Sequence, residues 1–139
     1  KTIVLAIRRG DGSSKVKTST WAMLLDRLFD GKLTGINVPR EKANIVIISE
    51  TVPDNPEFKV FEKYKSVSSV TYFLGDSERV ESKAQERLVR DLDCIALSDV
   101  LFASRGGFGS LGVALQKDDG VALSIEFSPM LRPDTPNAQ

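Results

Sequence analysis

Five short runs of aliphatic, largely β-branched residues, set apart by stretches of helical spacing, constrain this chain more than any other feature. The runs are Thr2 to Ile7 (TIVLAI), Ala43 to Ser49 (ANIVIIS), Val70 to Leu74 (VTYFL), Val100 to Ala103 (VLFA) and Gly120 to Ile125 (GVALSI). Each is almost continuously apolar rather than alternating, as expected of strands covered on both faces. Between them, Trp21, Leu24, Leu25, Leu28 and Phe29 form one helical stripe over Ser19 to Phe29. Thr18 or Ser19 is expected to supply the N-cap oxygen, and Gly31 to end the helix. Pro56 to Lys65 reads as a second helix through Phe58, Val60, Phe61 and Tyr64. Ser82 to Ser98 reads as a third, with Ala84, Leu88, Leu92, Ile95 and Ala96 as its buried stripe. A small-residue helix follows Ser104, with Leu111, Ala114 and Leu115 expected to face inward.

Strand and helix in alternation are the signature of a parallel sheet with helices on both faces. The predicted fold is therefore α/β, a three-layer Rossmann-like domain with a parallel sheet of about five strands. At 139 residues the chain has room for one such domain, which hides roughly two-thirds of the surface of the unfolded chain. We place the domain at residues 1–128 and an irregular tail at 129–139, where Pro129, Pro133 and Pro136 cluster.

Charge and residue usage remove whole classes of function. Lys plus Arg and Asp plus Glu number 19 each, giving zero net charge. That argues against a broad electrostatic nucleic-acid or membrane-surface binder while allowing a local basic pocket. Histidine is absent, which excludes imidazole bases, His-containing triads and His-ligated zinc. Cys94 is the one cysteine; it cannot form an internal disulfide and reads as helix core. Trp21 reads as packing on its apolar stripe. No run of about eighteen apolar residues predicts a transmembrane helix. No Asn-x-Ser/Thr site or signal segment is present, so a cytoplasmic setting is the default expectation. The chain opens at Lys1 straight into a strand-like run, as expected of a processed chain or of a piece of a longer one.

In an open parallel sheet, ligands collect beyond the carboxyl ends of the strands. Three turns on that rim carry distinctive residues. Arg8-Arg9-Gly10-Asp11 follows the first strand. A guanidinium fork suits phosphate oxygens, and Asp11 can hold one arginine in place. The same residues also fit a solvated basic turn. Ser104-Arg105-Gly106-Gly107-Phe108-Gly109 follows the fourth strand. Its glycines permit close backbone approach at a helix start, where N–H groups and the helix dipole favour anions. It lacks the Lys-Ser/Thr of a Walker loop and the spacing of a dinucleotide fingerprint. Gly75-Asp76-Ser77-Glu78 follows the third strand; a carboxylate there can accept two guanine N–H groups, or simply cap a helix. Glu50, after the second strand, carries the same ambiguity.

Taken in order, these elements resemble the nucleotide-binding C-terminal half of the GDP-fucose-dependent fucosyltransferase superfamily, in its α1,2-, α1,6- and protein O-fucosyltransferase branch. Ala6-Ile7-Arg8-Arg9-Gly10-Asp11 parallels the family's His-x-Arg-Arg-x-Asp element at both arginines and the aspartate. Ser49-Glu50-Thr51, Asp76, the helix from Asp91 to Asp99 and the strand ending in Ser104 follow the family order. The likeness spans roughly residues 2 to 118. It implies one half of a GT-B glycosyltransferase, with GDP-fucose or a related nucleotide sugar as donor and a hydroxyl acceptor.

The resemblance further implies that Arg8 is the catalytic and diphosphate-binding residue. Arg9, Asp11, Ser104, Gly106, Gly107, Phe108 and Gly109 would complete the phosphate site, and Asp76 would read guanine. No metal or other cofactor is expected, and an acceptor-binding domain or second subunit would complete the cleft. The chain departs from the pattern at Ala6, in place of the histidine, and at Gly106 and Gly107, in place of serine or threonine. Those departures leave a second expectation open, a non-catalytic α/β module that binds a phosphorylated ligand or a protein partner.

Overall fold

A computed structural model describes residues 1–7, 16–33, 35–50, 54–75, 81–104 and 107–125; the side chains of 81–84 and 107–109 fall outside that description. Five strands form the scaffold: β1 (Thr2–Ala6), β2 (Asn44–Ser49), β3 (Ser69–Leu74), β4 (Val100–Ser104) and β5 (Val121–Ile125). All pair in parallel, in the order β3-β2-β1-β4-β5. The chain thus builds outward from β1 to one edge, crosses back over the sheet, and builds outward again on the other side. The fold is the Rossmann-like α/β arrangement expected from the alternating pattern.

Alternation along β1 divides the core in two. Ile3, Leu5 and Ile7 face a large cluster built with Trp21, Ala22, Leu25 and Leu28 of α1 (Thr18–Phe29). Val4 and Ala6 face a smaller cluster with Ile95 of α2 (Glu81–Ala96), Leu101 and Ala103. The helix α3 (Gly107–Leu115) joins that second face, since a Cβ at Gly112 would lie 2.9 Å from Ile95 Cγ2 and 3.6 Å from Leu101 Cδ2. Helices therefore cover both sides of the sheet, and the continuous apolarity of β1 follows from that double coverage.

The segment Pro56–Ser66 is a 3-10 helix rather than an α-helix. Its three buried residues explain the choice: Phe58, Phe61 and Tyr64 recur every third position, and three residues per turn put them in one row. Pro56 presets the first turn, and Asn55 Oδ1 accepts a hydrogen bond from Glu57 N at 3.1 Å.

Three local expectations are corrected. Neither Thr18 nor Ser19 caps α1: Lys17 holds that position without a side-chain hydrogen bond, and Thr18 Oγ1 donates to Glu57 O at 2.7 Å instead. In α3, Leu111 and Leu115 are not inward; they are 46% and 45% exposed, Ala114 is exposed too, and Gly112 packs inward. In α2, Leu88 is 48% exposed while Ile95 is fully buried, so the buried stripe is rotated and shorter than its spacing suggests. Gly31, with φ of 70° just after α1, does end that helix as expected.

Candidate site at the switch point of the sheet

Strand order decides where a ligand can enter. The two outward-building halves part company between β1 and β4, and a doubly wound sheet opens its crevice at the carboxyl ends of such a pair. Here Ala6 is in register with Ala103, so β1 and β4 end side by side, about 4.8 Å apart. The chain leaves β1 through Ile7, whose N–H donates to Ile48 O at 2.8 Å. It leaves β4 through Ser104, a buried residue in register with Ile125.

Two helix starts follow these strand ends. Helix α1 comes after β1, and α3 comes after β4, beginning three residues past Ser104. Neither has an acidic residue in its first turn, so neither dipole is compensated locally. Lys17, at the N-cap of α1, adds a positive charge where a carboxylate is usual. A helix N-terminus without a carboxylate favours an anion, and that of α3 follows β4 directly.

Of the residues expected in the phosphate site, Ser104 closes β4, while Gly107, Phe108 and Gly109 form the first turn of α3. Arg8, Arg9, Asp11 and Gly106 lie outside the described residues, as does Asp76, expected at the base. The described structure sets side by side the ends of β1 and β4, from which the first and fourth turns leave.

At the neighbouring strand ends the backbone is tightly drawn. Gly75 N donates to Ser49 O at 2.8 Å, and a Cβ on Gly75 would stand 3.1 Å from Glu50 Cα and from Glu50 O. Glycine suits that place, because a side chain would press on the Glu50 backbone where β2 and β3 close against each other just before Asp76. Glu50 is exposed beside this contact. The pairing of Gly75 with Glu50 escapes a sequence reading, since only the strand register brings the two together.

Other candidates resolve into structure. Asp99, part of the helix pattern that follows the family order, sits at the opposite rim: its carboxylate accepts from Thr2 N at 2.8 Å and from Lys117 Nζ at 2.6 Å. Asp91 pairs with Arg90 at 3.0 Å, and the Arg90 guanidinium lies 4.3 Å from the Phe73 ring centroid. Cys94 is half-buried, and burial with nearby Asp91 pushes its thiol up, away from the thiolate a nucleophile needs. Trp21 is fully buried, as its stripe implies.

A shallow groove of about 760 Å³ runs along α2 past Val89, Arg90, Asp93 and Leu97; it includes no residue of the expected site. Among the described residues, no group of three or more metal-ligating side chains gathers. No helix among them is long and apolar enough to cross a membrane. Comparison with protein-family models, with curated proteins and with solved structures finds no match.

Proposed function

We propose that this chain binds a nucleotide sugar through its diphosphate, as the donor half of a fucosyltransferase-like enzyme with GDP-fucose or a related compound as donor. One observation carries the reading: β1 and β4 end side by side, so the segments beginning Arg8-Arg9 and Ser104-Arg105-Gly106 leave the sheet from adjacent strands at its switch point. A pyrophosphate held there would meet the N–H groups opening α3 on one side and the arginines on the other.

In this proposal Arg8 neutralises charge that develops on the departing diphosphate as the sugar–phosphate bond breaks. One preorganised donor of this kind is worth about 3–4 kcal/mol in a water-excluded site. Arg9, steadied by Asp11, adds positive potential, and Asp76 reads the base. The acceptor hydroxyl and its base come from a second domain or subunit.

Calorimetry with GDP, GMP, ADP and UDP tests the reading directly. GDP is expected to bind most tightly, with GMP weaker by the loss of one phosphate. Equal indifference to all four ligands would count against it. Arg8→Ala is expected to weaken GDP by tenfold or more while leaving the unfolding midpoint unchanged. A variant that held GDP as well as the parent would remove the phosphate role.

A further inference from the structure

A helix normally keeps its place by burying an apolar stripe, and α3 does so very little. Of residues 110–115 only Gly112 is buried. Among the described residues, no side chain of α3 belongs to either core cluster. What α3 sets against α2 is a glycine: a Cβ at Gly112 would lie 2.9 Å from Ile95 Cγ2. That close approach brings the helix in but supplies no side chain to fix its tilt.

Polar groups at the carboxyl end supply it. Gln116 Nε2 lies 3.1 Å from Ser98 O, 3.2 Å from Ser98 Oγ and 3.1 Å from Val121 O. Its two N–H groups are thus divided among oxygens of the α2–β4 junction and of β5. Ser98 is fully buried, and its hydroxyl donates to Ile95 O at 2.7 Å, leaving a lone pair for Gln116. Gln116 N donates in turn to Gly112 O at 2.9 Å, so Gly112, Ile95, Ser98 and Gln116 form a closed circuit. Just beyond, Lys117 N donates to Ala96 O at 2.9 Å. Room for the Gln116 side chain depends on Gly120, where a Cβ would stand 2.6 Å from both Cδ and Nε2 of Gln116. Gly120 is not among the glycines of positive φ, so its lack of a side chain serves space rather than backbone conformation.

We propose that Gln116 is a positioning residue. By latching the carboxyl end of α3 to the α2–β4 junction and to β5, it sets where the first turn of α3 stands, and so how tightly that turn holds a phosphate. The proposal rests on the anion role read above for the opening of α3. With nine residues in the helix, its two ends lie about 13 Å apart. A tilt of about 10° at the latch displaces the far end by about 2 Å, more than a hydrogen bond tolerates. Gln116 sits at the amino rim, a helix length from the phosphate, and acts on it through α3 alone.

Titration of the full 139-residue chain with inorganic pyrophosphate, at a temperature where each variant is folded by circular dichroism, is the test. Gln116→Met keeps the length of the side chain and removes its donors. Gly120→Ala pushes the amide off its acceptors from the other side, which keeps the test decisive if one variant fails to fold. Each is expected to raise the pyrophosphate dissociation constant by about tenfold. Hydrogen exchange of the α3 amides should quicken by about tenfold in both, while α1 exchanges at the parent rate. Tyr64→Phe, which loosens α1 from the 3-10 helix, should leave pyrophosphate affinity and α3 exchange unchanged, separating placement from stability at large. A parent chain that holds no pyrophosphate overturns the reading of the site and this proposal together. A parent that binds, with a folded Gln116→Met or Gly120→Ala that binds equally well, overturns the proposal alone. So does a Tyr64→Phe that weakens pyrophosphate as much, or α3 exchange that stays at the parent rate in both latch variants.

Discussion

Tyr64 joins two elements through one hydroxyl. Its Oη lies 2.8 Å from both Ala22 O and Asp26 Oδ1, residues 42 and 38 positions away, so one proton is shared between a helix carbonyl and a carboxylate. Lys63 Nζ reaches the other oxygen of Asp26 at 3.1 Å. Burial, reinforced by Asp26, holds the phenol well above its ordinary range, and it stays a donor through mildly alkaline conditions. Tyr64→Phe keeps the ring and removes only that proton. The expected loss is about 1–2 kcal/mol, read as a lower urea midpoint with an unchanged slope. Tyr64 itself was legible as part of an apolar helix face. The partners of the hydroxyl were not, because nothing local in the sequence ties Tyr64 to α1.

Strands were the most legible elements, because a short apolar run between turn residues has few other outcomes in a chain of this pattern. Each expected strand appears within a residue or so of its predicted ends. Helices were harder. Phe58, Phe61 and Tyr64 fit a row of period three as well as a loose period of 3.6, and burial of all three aromatics selects the 3-10 form. The face of α3 was misread because apolar side chains were assumed to point inward. The close approach of Ile95 gives that place to Gly112, and Leu111 and Leu115 turn out toward solvent. At this scale Gly75 makes the sharpest prediction. Its missing side chain lets β2 and β3 close at Glu50, and backbone cannot yield as a side-chain tip can. Gly75→Ala is expected to cost about 1–3 kcal/mol in chemical denaturation. If Asp76 contacts the base, the variant should also weaken GDP more than it weakens inorganic pyrophosphate.

At the scale of the whole molecule, α/β class was legible from alternation, but the order of strands was not. No local signal distinguishes a chain that keeps building in one direction from one that doubles back to place β4 beside β1. The candidate site was legible as separate turns for the same reason, and only topology makes neighbours of the first and fourth. Long-range ties gather at the opposite rim. Thr2 N and Lys117 Nζ both donate to Asp99, Lys1 N donates to Lys42 O, and Val121 N donates to Asp99 O. Burial works to raise the Asp99 carboxyl, but the hydrogen bonds from Lys117 and Thr2 outweigh it and hold the group below its ordinary range. Its stabilisation is complete above the unfolded value near ~3.9 and is lost as pH falls through the lower folded value. The same bond raises Lys117, whose share is complete below about 10.4 and lost as pH rises through its folded value. Asp99→Asn should therefore remove both arms, flattening thermal stability against pH at the acid and alkaline extremes alike. With those ties at the amino ends of the strands, and the Gly75–Glu50 contact apart, much of the framework is secured away from the rim where the turns emerge. Lengthening a turn there carries little more than loop entropy, about 0.6 kcal/mol per doubling, so new specificities can be grafted onto this scaffold by insertion without redesigning what holds it up.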